Sequence, residues 1–481
     1  MDSYDLLIDG ERRGTSDTIP VEDPATGAII GEVAKGDAED ASDAIEAAHS
    51  VRREWADSAP ATRESALRAT ADRIEESADE IAGLLSRETG KCLSTAEGEV
   101  AETVAQFRFY AGAVDKVRGD TIPTASNRLN YTKRVPYGVT AHVVPWNYPL
   151  LLGTRGFASA LATANTVVAK PPSHAPLTTM LVGDILVEEF PDGVVNVVPG
   201  PGSSVGAELS STPDVDAITF TGSTEVGKRV LASAADNVTH VDLELGGKAP
   251  AIVLPDADVE NAARGVVAGI FSNAGQNCVA TSRCLVHESV HDELVEKVVE
   301  KTERIALGQG TDSATDMGPV ISRDAQATVL DYVESAREEG ATLLTGGGVP
   351  DDPELADGHF VEPTVFDHVT PEMTVACEEI FGPVLAIVSV ESVEEAISVA
   401  NDSPYALAAA LWTEHLDATQ LADRLDHGLV GVNTFPVSMP QSPWGGNKES
   451  GIGREGGLEG VDAFTTVDSV VVEFDDVDDP Y

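Results

Sequence analysis

The chain has 481 residues, enough for two or three domains with substantial cores. Its 81 acidic against 31 basic residues give a formal charge of −50, so no basic field exists to displace counterions, and nucleic acid and anionic membranes are excluded as partners. The acidity is dispersed along the chain, with a local run at 473–479, as expected of a cytoplasmic, halophilic protein whose self-repulsion is screened by salt.

Residues 3–35 read as short strands and turns. Apolar positions at helical spacing predict helices over 39–56 and 61–88, with Gly90 as a stop, and a third over 94–117. The polar stretch 119–138 has hairpin character and interrupts the pattern, as an arm leaving a domain would. From 138 onward short β-rich apolar runs alternate with helices expected over 150–164, 175–188, 203–210 and 225–235. That alternation indicates a parallel, doubly wound sheet. A second α/β series is expected from 247 to about 461. The closing run DAFTTVDSVVVEF alternates as a strand does and is expected to pair with the arm or with another chain. The amino-terminal stretch has no basic region followed by an apolar run, so no signal peptide is expected, and no window suits a membrane span. Cys92, Cys278, Cys284 and Cys377 form no CxxC and no metal-ligand spacing, which fits free thiols in a reducing compartment and no metal site.

The stretch 268–284, AGIFSNAGQNCVATSRC, delivers Cys278 through a glycine and small polar residues. A thiol that a base can deprotonate is a good nucleophile toward carbonyl carbon, although most isolated cysteines are small buried hydrophobes. PWNYP (145–149) follows an apolar strand at its carboxyl end, where open α/β sheets place ligands, and Asn147 could donate its amide to a developing oxyanion. ITFTGSTEVG (218–227) is a strand, a glycine turn and a helix start, a weak phosphate-binding signal without the full dinucleotide fingerprint. LELGGK (243–248) puts Glu244 between leucines, where desolvation raises a carboxylate toward a useful general base.

Together these stretches resemble the aldehyde dehydrogenase superfamily over essentially the whole chain. PWNYP, KPP, FTGSTEVG, ELGGK, GQNC, EEIFGPV and SPWGGNKESGIGRE occur in the family's order. The resemblance implies an aldehyde dehydrogenase-like α/β fold in three parts. A doubly wound parallel-sheet cofactor domain spans 1–118 and 137–246, an α/β catalytic domain spans 247–461, and a β oligomerisation arm joins 119–136 with 462–481. It also implies a homodimer or homotetramer.

The implied chemistry is oxidation of a small aldehyde to a carboxylate. Cys278 is the nucleophile, Asn147 with the Cys278 backbone N–H stabilises the oxyanion, and Glu244 activates water. For the cofactor, the resemblance places Trp146, Gly222 and Ser223 at the pyrophosphate and Lys170 at the adenosine ribose. Leu245 falls near the nicotinamide amide, and Glu379 and Phe381 at the nicotinamide ribose. Family members that prefer NAD often carry glutamate where Ser173 stands. A carboxylate there would repel a 2′-phosphate by roughly 4 kcal/mol at about 4 Å and an effective dielectric of about 20, so NADP is expected to be accepted, with NAD also permitted.

Arg155 and Ser438 match residues that grip the substrate carboxylate in succinate- and 2-oxoglutarate-semialdehyde enzymes, and an arginine fork suits a carboxylate. Ser272 departs from the second arginine common in the succinate-semialdehyde enzymes. Tyr148 and Trp444 match an aromatic box for betaine aldehyde or aminoaldehydes, the alternative substrate class. A catalytically silent structural protein on the same fold is the alternative of another kind, opposed by the presence of Cys278, Glu244 and Asn147.

Overall fold

The computed structural model describes residues 2–415 and 417–475. Of the acidic run 473–479 and the expected arm segment 462–481, residues 476 onward lie outside that range. The fold is α/β and is organised by two sheets.

The first sheet has eight strands in the order Gly451–Ile452, His240–Glu244, Ala217–Thr221, Val139–Val143, Thr166–Lys170, Val195–Val197, Leu6–Ile8 and Glu11–Arg13. The five from His240–Glu244 to Val195–Val197 run parallel. Alternation along these strands fills both faces. Val167 and Ala169 join one core with Leu161 and Leu186, while Val168 joins the other with Ala141 and Ile218. The chain steps outward from Val139–Val143 through Thr166–Lys170 to Val195–Val197, then jumps back to Ala217–Thr221 on the opposite side. The reversal leaves a crevice beyond the carboxyl ends of Val139–Val143 and Ala217–Thr221, the usual place for a ligand in such sheets.

The second sheet has seven strands: Thr342–Thr345, Thr364–Asp367, Val384–Val390, Arg283–His287, Pro250–Val253, Ala408–Trp412 and Leu429–Val432. All are parallel except the first. Its core gathers Ile252, Leu285, Ile387 and Trp412 with Val266 and Ile270 of the helix Val259–Phe271. A separate three-stranded sheet pairs Thr465–Glu473 antiparallel with Arg128–Pro136, in register from Thr465↔Pro136 to Glu473↔Arg128, with Thr121–Ile122 on the far side.

Three sequence expectations need correction. The helix over 61–88 is two, Pro60–Glu76 and Ala78–Thr89, parted at Ser77, where Asp79 and Glu80 occupy the favoured first turn of the second. The helix over 94–117 ends at Ala111, capped by Gly112. The stretch 247–461 is not confined to the second sheet, because Gly451–Ile452 returns to pair with Leu243 and Glu244 of the first. Without that return the edge strand His240–Glu244 would present unpaired backbone.

Candidate active site

The loop 144–148 leaves strand Val139–Val143 and enters helix Pro149–Ala162, whose first residue is a proline, pre-set for that position. Asn147 is buried, and its Nδ2 donates to the Gln276 carbonyl at 3.2 Å. Gln276 belongs to the loop that carries Cys278. There, helix Val259–Phe271 stops and Asn273, Ala274 and Gly275 take left-handed backbone in succession (φ 51°, 54° and 73°). Such strain concentrates at functional sites, and here it turns the chain sharply toward Cys278. A Cβ at Gly275 would fall 2.1 Å from the Gly382 carbonyl oxygen, so only glycine fits. From the first sheet, a Cβ at Gly247 would fall 2.3 Å from the Cys278 carbonyl oxygen. The glycine pair after Glu244 thus lets the nucleophile's backbone pass in contact.

Burial pushes the Cys278 thiol up to about 12, with the Glu379 and Glu244 carboxylates adding and Arg155 opposing. Glu244 is buried, and neither of its oxygens is hydrogen-bonded among the described residues. Desolvation first, then Glu455 and Asp242, raises it well above the ordinary carboxylate value, against Arg155 and Arg454. Asp242 and Glu244 share one face of their strand, two residues apart, and Asp242 and Glu455 are raised chiefly by burial as well. These three carboxyls titrate as a set.

Arg155 lies on helix Pro149–Ala162 and is only 1% exposed. Its Nη2 donates to Ser438 Oγ at 3.2 Å, and its Nη1 stands 3.7 Å from Glu455 Oε2, an ion pair beyond hydrogen-bond length. Nε and Nη1 have no hydrogen-bond partner among the described residues. The guanidinium sits over the Trp444 ring, 4.6 Å from its centroid, and Lys91 Nζ sits over the Tyr148 ring at 4.0 Å.

The other expected residues fall around the crevice. Trp146 and Phe381 meet edge to face, centroids 5.3 Å apart, and Phe381 holds a left-handed backbone (φ 56°). Gly222 closes strand Ala217–Thr221, donating its N–H to the Glu244 carbonyl at 3.0 Å. Ser223 caps helix Thr224–Ala235, its Oγ accepting from the Val226 N–H at 3.4 Å. Leu245 packs on Gly227 of that helix. Glu379 accepts from the Gly247 N–H at 3.0 Å, and burial pushes its carboxyl up to about 7. Lys170 is buried, lowered to about 8 by desolvation, and donates to the Pro171 carbonyl at 2.8 Å. Ser173 is exposed on a polar cavity that it shares with His174, Arg323 and Asp324. A glycine turn opening a helix at the switch point, flanked by an aromatic pair and a desolvated carboxyl, fits a dinucleotide cofactor.

The sequence reading missed several residues here: Asp242, Glu455, Glu102, Lys91 and Glu99. Asp242 could have been found as the same-face neighbour of Glu244, and Glu455 as the end of SPWGGNKESGIGRE. Glu102, half-buried and raised by desolvation against the pull of Arg155, had no local signal. Lys91 and Glu99 form an ion pair with both side chains fully buried, and two isolated charges in so acidic a chain do not announce it.

The sequence model of the aldehyde dehydrogenase family matches residues 12–470. The betaine aldehyde dehydrogenase of Bacillus subtilis (strain 168) is 41% identical over 478 residues, covering 97% of this chain and 97% of its own. The alpha-ketoglutaric semialdehyde dehydrogenase of the same organism is 39% identical over 479 residues, covering 98% of each. The crystal structure of betaine aldehyde dehydrogenase from Staphylococcus aureus in complex with NAD+ superposes with a TM-score of 0.98 at 37% identity, covering 99% of this chain and 96% of that one.

Proposed function

The chain belongs to the aldehyde dehydrogenase family and is an NAD(P)-dependent aldehyde dehydrogenase, and we propose that its substrate is a carboxylate-bearing semialdehyde of the 2-oxoglutarate or succinate type. In this reading the Cys278 sulfur adds to the aldehyde carbon as its proton passes to solvent water, and the Asn147 amide with the Cys278 N–H holds the tetrahedral oxygen. The nicotinamide group, when bound, supplies the hydride acceptor. Leu245, Glu379 and Phe381 would orient it, and Trp146, Gly222 and Ser223 would hold the pyrophosphate of the same cofactor. Loss of hydride leaves a thioester on Cys278. Glu244 then takes a proton from water, which attacks the thioester carbonyl, and the thiol leaves as the carboxylate forms.

The observation that carries the substrate class is the buried guanidinium of Arg155 with two unpartnered donors. Buried polar groups are almost always hydrogen-bonded, so free N–H groups on a desolvated arginine mark a place for an acceptor. A carboxylate matches that fork, and Ser438 fixes the third donor. The distance of Glu455 leaves the donors unfilled while offsetting the charge. For betaine aldehyde the same geometry is unfavourable. Arg155 and Lys91 already lie over Trp444 and Tyr148, the rings a quaternary ammonium would need.

Replacing Arg155 by methionine is expected to lower the ratio of kcat/KM for succinate or 2-oxoglutarate semialdehyde to that for an uncharged aldehyde by about 100-fold. Taking the ratio cancels the substitution's effect on the shared chemistry at Cys278 and Glu244. An unchanged ratio, or a preference for betaine aldehyde in the unmodified enzyme, removes the semialdehyde assignment.

The acceptance of NADP rests on the family position of residue 173, where this chain has serine and NAD-preferring members often carry glutamate. Ser173→Glu is expected to depress kcat/KM for NADP by roughly 100-fold or more through charge repulsion, and to leave NAD within a few-fold. Equal losses with both cofactors would show that residue 173 does not face the 2′-position.

A further inference from the structure

The geometry points to the buried pair Lys91–Glu99 as a positioning device for the oxyanion donor: the two charges clamp the PWNYP turn from both ends and fix where the Asn147 amide points. This rests on the reading of Asn147 as the donor to the tetrahedral oxygen.

Lys91 follows the left-handed Gly90 that ends helix Ala78–Thr89, and Glu99 lies on helix Leu93–Ala111. Lys91 Nζ pairs with Glu99 Oε2 and donates to the Asn147 carbonyl at 2.8 Å. The other oxygen, Glu99 Oε1, accepts from the Leu150 and Leu151 N–H groups at 2.9 and 3.2 Å. Those amides are in the first turn of helix Pro149–Ala162, where orphan donors and the helix dipole favour an anion. One charge therefore grips the turn before Tyr148-Pro149 and the other grips it after. Asn273 Nδ2 adds a second donor to the Asn147 carbonyl at 3.3 Å, so the residue is held from the nucleophile loop too.

The device has a second anchor. Leu93 donates its N–H to the Gly310 carbonyl at 2.7 Å, tying the Lys91 loop to a segment that continues to Ile321. Ile321 donates to Gln276 Oε1 at 2.8 Å, and the Gln276 backbone carbonyl accepts the Asn147 amide. The segment 310–321 thus fixes both the strut behind Asn147 and the loop in front of it. A mere core ion pair would need none of these contacts. A buried pair is an expensive way to fill space, and its retention is most readily tied to specifying a geometry. Neither residue reaches the reacting atoms, so both are positioning residues.

The test uses the full-length enzyme and a saturating semialdehyde and cofactor. Lys91→Met is expected to lower kcat at least about ten-fold, since an ångström of misplacement in a preorganised donor is enough for that, while the cofactor Kd and the aldehyde KM stay within about two-fold. In an Asn147→Ala background the same substitution should change kcat less than two-fold, because the group it positions is already gone. Glu99→Gln, which keeps the acceptor for Leu150 and Leu151, should give a smaller loss with the same kcat selectivity, and it serves if Lys91→Met does not fold. Equal effects of Lys91→Met or Glu99→Gln with and without Asn147, or a loss divided among kcat, KM and Kd, overturn the positioning role. If Asn147→Ala alone leaves kcat unchanged, the oxyanion reading fails, and the positioning role falls with it for a separate and visible reason.

Discussion

Cys278→Ala is expected to reduce aldehyde-dependent formation of reduced nicotinamide by about 10⁴-fold or more, the scale on which covalent catalysts lose rate when the nucleophile is deleted. Binding of the oxidised cofactor, followed by calorimetry, should persist, because the residues assigned to it lie on other segments. Burial and two nearby carboxyls push the Cys278 thiol up to about 12, which favours the thiol over the thiolate in the free enzyme. Alkylation of Cys278 by iodoacetamide should therefore be slow at pH 7 without cofactor and should accelerate as pH rises. A variant that keeps a tenth of the parent rate without this sulfur would show that the chemistry does not pass through it.

Glu244→Gln is expected to lower the steady-state rate by about 10²- to 10⁴-fold, the usual contribution of a positioned general base. A first-turnover burst of reduced nicotinamide, approaching one per active site, should survive. Hydride loss would still form the thioester on Cys278, and only its hydrolysis would stall. The pH dependence has a definite sign. Burial, Glu455 and Asp242 raise the Glu244 carboxyl, so its neutral form dominates at low pH and the competent base accumulates as pH increases. Steady-state kcat should rise with pH in the parent, through a range above that of an ordinary carboxylate, and that limb should disappear in the glutamine variant. Because three carboxyls titrate together, the midpoint belongs to the set. A glutamine variant with no burst would mean that residue 244 acts before thioester formation.

The parts of this site that could be read from sequence were those carried by contiguous residues. PWNYP, FTGS, ELGG and GQNC each pair a strand or helix end with a residue of distinctive chemistry, and each lands at the crevice between the sheets. The rest depends on distant residues meeting. Lys91, Glu99 and Asn147 converge from three segments, and each alone reads as an ordinary charged or turn residue. Arg155 was identified by position, but that its donors would be bare, its face on Trp444 and its charge offset by Glu455 needed the folded chain. The fold shows the same division. Short apolar runs between helices gave the parallel strands of the first sheet, whereas the break at Ser77 was hidden because the apolar spacing continues across it. The strand Gly451–Ile452 has two residues and no period to detect.

That small strand bears on how the protein is made. Its partners, Leu243 and Glu244, leave the ribosome more than two hundred residues before Gly451 does. Amino-terminal regions begin to fold during synthesis, but the strand bearing Glu244 must wait with one edge open until nearly the whole chain has emerged. Closing a loop of that span is slow, and an open edge is sticky in the meantime. The last covering of the strand bearing Glu244 is thereby postponed to the end of translation, so that a prematurely terminated chain, even one containing Cys278, Glu244 and Asn147, leaves that strand with an open edge.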